Sequence, residues 1–256
     1  MPRFFVRREQ VLDDEKIIYL MGEDAHHVAR SLRMAVGDSV TVCDMQGVEY
    51  DCIIENFDED RRVTLSYTSA KAAENEPPVR IRLYQALPKG DKLDTVIQKA
   101  VECGVWEIVP FESERCIAKV KPEAEAKKTE RRRRIAAEAA KQCGRSVIPD
   151  VLPTVSFSEM LDGIGGGACL FCYEGDGTEP LGEVMKRELG NVSSREGIIS
   201  IIIGSEGGFS VDEAERIKAA GATAVGLGKR ILRTETASGF VLSCIVCFVE
   251  LGGDAW

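Results

Sequence analysis

An α/β domain with a parallel sheet, preceded by a small all-β domain, is what this 256-residue chain predicts. From residue 79 onward, short β-branched runs alternate with segments whose apolar residues recur at helical spacing. Before it, residues 1–70 hold short runs of period two, parted by turn residues, with one helical pattern. The polar stretch SAKAAENEPP at 69–78 reads as the connection. The chain therefore divides into a small barrel at 1–72, a linker at 73–78 and an α/β domain at 79–256.

In the first domain, Asp24 is placed to cap a helix over 25–34, with Val28 and Leu32 on one face. Strands at 39–44 and 48–54 flank Met45-Gln46-Gly47 as a hairpin, and 62–67 alternates as another strand. In the second domain, 81–87 is a strand. Residues 91–103 form a helix, with Leu93, Val96, Ile97, Ala100 and Val101 on one face and Gly104 as its stop. A strand at 105–109, a long basic helix at 123–143 ended by Gly144, and a short strand within 147–151 follow. Gly163–Gly167 is a flexible loop, 168–173 a strand, and 180–189 a helix with Pro180 in its first turn.

The last quarter organises the rest. Ile198–Ile203 is an unbroken apolar run, the pattern of a strand buried on both faces. It stops at Gly204-Ser205-Glu206-Gly207-Gly208, whose glycines let backbone come close to a ligand. Ser210 and Glu213 form a capping box for a helix that Gly221 ends. A strand at 223–227 runs into a second polar loop at 228–233, and Thr234 is placed to cap a final helix over 235–251. Two glycine-bearing loops thus follow two parallel strands, and in open α/β sheets ligands bind at such strand ends. Neither Gly-Lys-Ser/Thr nor G-x-G-x-x-G occurs in these loops, so a nucleoside-triphosphate loop and a dinucleotide fingerprint are disfavoured.

The net charge of −9 argues against nonspecific polyanion binding, yet residues 115–145 carry 11 Lys/Arg against 4 Asp/Glu. The start, MPRFFVRREQ, has no apolar core of a secretory signal, and no apolar stretch is long enough to span a bilayer. Nine cysteines in apolar segments fit a reducing cytoplasm. Cys169-x-x-Cys172 falls in a strand and Cys244-x-x-Cys247 in an apolar helix. Neither has the turn that structural zinc requires, so no metal is expected. His26 and His27 are adjacent, have no ligand partner at metal spacing, and read as RNA contacts or helix-capping residues.

Ile203-Gly204-Ser205-Glu206-Gly207-Gly208-Phe209-Ser210 and the segment Leu227-Gly228-Lys229-Arg230-Ile231-Leu232-Arg233-Thr234-Glu235-Thr236-Ala237 resemble the two signature loops of the RsmE family. That family methylates N3 of one uridine in 16S rRNA. It belongs to the SPOUT class, whose chain forms a trefoil knot around S-adenosylmethionine. The family usually has Pro where this chain has Ser205. Arg3-Phe4-Phe5 and 26–34 resemble its PUA-like RNA-binding domain, so the likeness covers nearly the whole chain. It implies a PUA-like barrel, a SPOUT α/β-knot domain, a homodimer packed through knot-region helices, and the small ribosomal subunit as partner.

Within that resemblance, Tyr173, Glu174, Ile203, Gly204, Glu206, Gly207, Leu227, Gly228, Ile231, Leu232 and Thr236 are the expected cofactor residues. Ile231 and Leu232 supply an apolar slot for adenine, and Glu206 a charge to favour the sulfonium. Uracil N3 is a poor nucleophile while protonated, so a cation that steadies the uracil anion helps. Arg233 is the expected catalytic cation, beside Glu206. Arg3, Arg7, Arg30, Arg33, Lys89, Lys92 and Arg145 are the expected RNA contacts, whereas Arg131–Arg134 reads as a solvated helix face. The alternatives are another SPOUT enzyme acting on a ribose 2′-hydroxyl or a tRNA, and a catalytically silent RNA-binding assembly factor.

Overall fold

The computed structural model describes residues 1–58, 62–165, 167–189 and 197–252. Gly166 of the expected loop at 163–167 and the last four residues of the expected second domain lie outside them. Two compact units are present: Met1–Glu76 with Ala140–Ile148, and Pro77–Ala139 with Pro149–Trp256.

The first unit carries β1 (Arg3–Phe5), β2 (Val11–Leu12), β3 (Ile17–Leu20), β4 (Ser39–Cys43), β5 (Val48–Phe57) and β6 (Val63–Ala72). They form one sheet in the order β1-β4-β5-β6-β3-β2, antiparallel except between β1 and β4. Register shifts between Asp51 and Cys52 and between Ile54 and Asn56 bend the long β5/β6 pair around the core. Phe4, Ile18, Leu20, Val42, Ile54 and Leu65 fill that core.

The expected helix over 25–34 is two shorter pieces: α1 (Gly22–His26) and a π turn at His27–Ser31. Met21 is the N-cap of α1, and Asp24 lies inside that helix, where its carboxylate accepts from Lys141 Nζ at 2.9 Å. Arg33, at φ 52°, has left helical geometry.

The second unit carries, in chain order, β7 (Arg80–Ala86), α2 (Lys92–Glu102), β8 (Glu107–Glu112), α3 (Pro122–Cys143), β9 (Asp150–Val151), β10 (Val155–Ser156) and α4 (Phe157–Asp162). There follow β11 (Cys169–Cys172), β12 (Glu179–Pro180), α5 (Leu181–Leu189), β13 (Ile198–Ile203), α6 (Val211–Ala219), β14 (Thr223–Gly226) and α7 (Thr234–Glu250). The last four residues of α3 group with the first unit. The strands form one parallel sheet in the order β10-β8-β7-β13-β11-β14-β12, with β9 also on β8. Ile201 and Ile202 of β13 have no exposed surface, as a strand covered on both faces requires.

Beyond β5 and β6, which run past the expected 54 and 67 to Phe57 and Ala72, the second unit also departs from expectation. β8 starts and ends later than 105–109 because Pro110 does not break it. Pro110 stands opposite the gap between β9, which pairs Glu107 and Ile108, and β10, which pairs Phe111 and Glu112. β10 and α4 are additional, and Ser156 with Glu159 caps α4 as a capping box. Pro180 lies in β12, one residue ahead of α5. Arg233, not Thr234, is the N-cap of α7; the Thr234 hydroxyl is directed elsewhere. The capping box of Ser210 and Glu213 on α6 is as expected, with both bonds made at 3.1 and 3.3 Å.

Candidate functional site

Because β7, β11, β13 and β14 are parallel neighbours, the loops that follow them leave from one edge of the sheet. The two glycine-bearing loops meet there. Thr234 Oγ1, on the first residue of α7, donates to the Gly204 carbonyl at 2.6 Å. Gln85, near the end of β7, donates from Nε2 to Thr234 Oγ1 at 2.9 Å and to the Ala86 carbonyl at 3.0 Å. The first loop is a tight turn, with the Gly208 N–H donating to the Ser205 carbonyl at 3.0 Å. Gly208 holds φ 63°, where a side chain is strained.

This turn is packed to the limit of glycine. A Cβ on Gly204 would lie 2.9 Å from the Phe209 ring, and one on Gly207 would lie 3.0 Å from Arg115 Cβ. Phe209 is itself fixed, stacked on Phe111 and edge-on to Phe171. The Arg115 guanidinium donates to the Gly207 carbonyl at 3.2 Å, so the loop after β8 braces the turn. Nothing in the spacing of the sequence singled out Gln85 or Arg115.

The charges are arranged differently from expectation. Glu206 accepts from Lys92 Nζ at 2.8 Å and from the Lys89 N–H at 3.2 Å. Burial works to raise its pKa, but the Lys92 bond and backbone N–H donors prevail and hold it below the usual carboxylate value. Glu235 also faces Lys92, at 3.6 Å. Glu206 and Lys92 therefore pair with each other here, and Glu206 holds its loop to the start of α2. Arg233 is exposed, and among the described residues no hydrogen bond or ion pair engages its guanidinium.

An apolar cavity of about 430 Å³ opens beside the second loop, lined among others by Pro180, Met185, Leu227, Gly228 and Phe240. Of the expected cofactor residues, Leu227 and Gly228 line it. Ile203 is buried at the end of β13, and Leu232 is half-buried. Ile231 is 83% exposed, which is no closed slot, and Thr236 and Glu174 are exposed. The Tyr173 ring stacks on Phe171 at 5.1 Å, with the Lys218 ammonium over it.

The residues fit a nucleoside with a charged tail. The cavity has the size and lining of a small-molecule pocket. The turn excludes any side chain where a ligand's backbone contacts are expected. Gln85 Oε1, Ser205 Oγ and Glu235 Oε2 are buried without hydrogen-bond partners among the described residues, and all three lie on the two loops or next to them. Among the described residues, no group of three or more His, Cys, Asp or Glu is placed to hold a metal ion, and no helix is long and apolar enough to cross a membrane.

The expected RNA cations fall into two sets. Arg7, Arg30 and Arg33 are exposed in the first unit, and Lys89 is exposed in the second. Arg3 and Arg145 are not surface cations. Arg3 binds Glu49 at 2.6 Å. Arg145 is 5% exposed, and its guanidinium binds Glu76 at 2.5 Å. The Glu76 carboxylate also accepts from Ser146 N–H and Oγ, at 2.8 and 3.1 Å. The run Arg131–Arg134 is not simply solvated: Arg132 is buried against Thr154 and Glu125, Arg133 holds the Val151 carbonyl, and Arg131 pairs with Asp94.

Comparison with known proteins gives two family matches: an RNA methyltransferase domain over residues 75–246 and an RNA methyltransferase PUA domain over 20–63. Ribosomal RNA small subunit methyltransferase E of Bacillus subtilis is 32% identical, with 98% of each chain covered. The protein of that name from Buchnera aphidicola (Acyrthosiphon pisum) is 31% identical over 93% of this chain and 90% of its own. A crystal structure of ribosomal RNA small subunit methyltransferase E from Neisseria gonorrhoeae, bound to S-adenosyl methionine, superposes with a TM-score of 0.81 at 30% identity. That match covers 96% of this chain and 97% of the other.

Proposed function

The chain belongs to the ribosomal RNA small subunit methyltransferase E family, and on that premise we propose that it methylates N3 of one uridine in 16S rRNA, using S-adenosylmethionine. The observation that carries the reading is the 2.6 Å bond between Thr234 and Gly204, which joins the two signature loops beside the cavity lined by Leu227 and Gly228.

S-adenosylmethionine supplies an electrophilic methyl on a sulfonium. The chain's part is to hold donor and acceptor in line, which lowers the barrier of such a displacement. Leu227 and Gly228 offer backbone groups and an apolar wall to the adenosine. Gly204 and Gly207 let main chain approach the ribose and the amino-acid tail. Glu206, through Lys92 and the Lys89 N–H, keeps the first turn in place. Arg233 is exposed on the second loop and has no carboxylate partner among the described residues, so its charge can stabilise the anion that uracil becomes on losing its N3 proton to solvent.

The first unit, with exposed Arg7, Arg30 and Arg33, binds the RNA, and Lys89 adds a contact near the catalytic edge. The working form is a homodimer in the cytoplasm, acting on the small ribosomal subunit. In support, α7 is apolar from Phe240 to Val249 save for Ser243, yet Phe240 is 41% exposed and Cys244, Cys247 and Phe248 are only half-buried.

The test is methyl incorporation from labelled S-adenosylmethionine into naked 16S rRNA and into isolated small subunits, followed by nucleoside analysis. N3-methyluridine in one of these substrates is the expected product. Cofactor binding with no N3-methyluridine in either overturns the enzyme reading in favour of a silent assembly factor.

A further inference from the structure

We propose that Gln85 is a positioning residue whose carboxamide sets the two signature loops in register for cofactor binding. The inference rests on the reading that those loops hold S-adenosylmethionine. Gln85 belongs to neither loop. It lies one residue from the end of β7, paired in register with Ile203, and has no exposed surface. Its Nε2 has three acceptors: the Ala86 carbonyl at 3.0 Å, Thr234 Oγ1 at 2.9 Å and the Gly204 carbonyl at 3.5 Å. Thr234 Oγ1 donates its own hydrogen bond to the same Gly204 carbonyl. One buried amide thus fixes the first residue of the first loop and the first residue of α7 relative to β7.

The other half of the amide is out of balance. Gln85 Oε1 is buried and has no hydrogen-bond partner among the described residues. A buried acceptor left unpaired is a cost to folding, so stability alone does not account for an amide here. A methionine of similar length would fill the space without that unpaired acceptor, giving up only the donor that reaches Ala86 and the two loops. Positioning explains the residue: the donor half is what matters, and it points at both loops.

Two isosteric changes test this in the full-length chain, with S-adenosylmethionine binding read by calorimetry. Gln85→Met and Thr234→Val are each expected to weaken binding about tenfold, the order of one net hydrogen-bond contribution, since each breaks the Gln85–Thr234 bond of the network. The double variant is expected to lose no more than either single one, because both act through one network. Melting of Gln85→Met is expected within about 4 °C of the wild type. Thr234→Ser, which keeps the hydroxyl, is expected to bind as the wild type does.

Wild-type affinity in Gln85→Met, or losses that multiply in the double variant, overturns the proposal. If Gln85→Met does not fold, equal affinities of Thr234→Val and Thr234→Ser overturn it instead. Absence of binding by the wild type refutes the cofactor reading itself and is told apart in the same titration.

Discussion

Adding one methyl group at Gly204 tests how closely the first loop bounds the ligand. In Gly204→Ala the new Cβ would lie 2.9 and 3.2 Å from two carbons of the Phe209 ring and 3.3 Å from Gly208 Cα. Carbon contacts are comfortable from about 3.5 Å, so the neighbours must give by roughly 0.6 Å. The ring has nowhere to go: Phe209 is 5% exposed, with Phe111 stacked at 6.2 Å and Phe171 edge-on at 5.1 Å. The turn itself must therefore shift. Overpacking of this kind costs about 1–3 kcal/mol. If the displaced turn is the ligand's wall, that converts to a rise in the cofactor Kd of roughly 5- to 150-fold. Calorimetric titration of Gly204→Ala beside wild type measures it. Gly165→Ala, where nothing lies within 4 Å of the new atom, serves as the control with unchanged affinity. A Gly204→Ala protein that melts normally and binds S-adenosylmethionine as tightly as wild type refutes the assignment of this turn to the ligand.

Three further outcomes are expected. Arg233→Ala should lower kcat by about 100-fold at saturating cofactor and RNA while cofactor Kd stays near wild type, in single-turnover methyl transfer; an unchanged rate removes Arg233 from the chemistry. The pKa of Glu206 is lowered in the fold from its ordinary 4.5, so its clamp is fully present above that value and is lost as pH falls through the depressed one. Cofactor affinity should therefore be level from about pH 5 to 8 and fall only in more acid buffer, and Glu206→Gln should abolish that acid step. Arg145→Ala should lower the melting of the first unit by about 10 °C, because it leaves the half-buried Glu76 carboxylate without its cation, held among the described residues only by Ser146 and Val147; a stable variant with weakened RNA binding would return Arg145 to the RNA surface.

What the residues disclosed in advance was local. The isoleucine run of β13 marked its own bounds, and the Ser210–Glu213 pair marked the start of α6. The same signal, Ser156 with Glu159, announced α4 but sits after a two-residue strand too short to show a period. Pro110 hid the true extent of β8, since only the neighbouring strands reveal that its missing N–H faces a gap. The two loops were legible as sequence, but their join through Thr234 was not. A threonine before a helix reads as a cap, and only the fold shows its hydroxyl turned to a carbonyl 30 positions earlier. The charged residues were hardest. Arg145 finds Glu76 across 69 positions and Lys92 finds Glu206 across 114, and a list of residues gives no sign of which cations are already paired.

A crystal of this chain grown with S-adenosylmethionine reaches the central claim most directly. Density for the nucleoside against Leu227 and Gly228, with its amino-acid tail running past Gly204 and Gly207, is the predicted result. A nucleoside seated away from the edge where those two loops meet contradicts it.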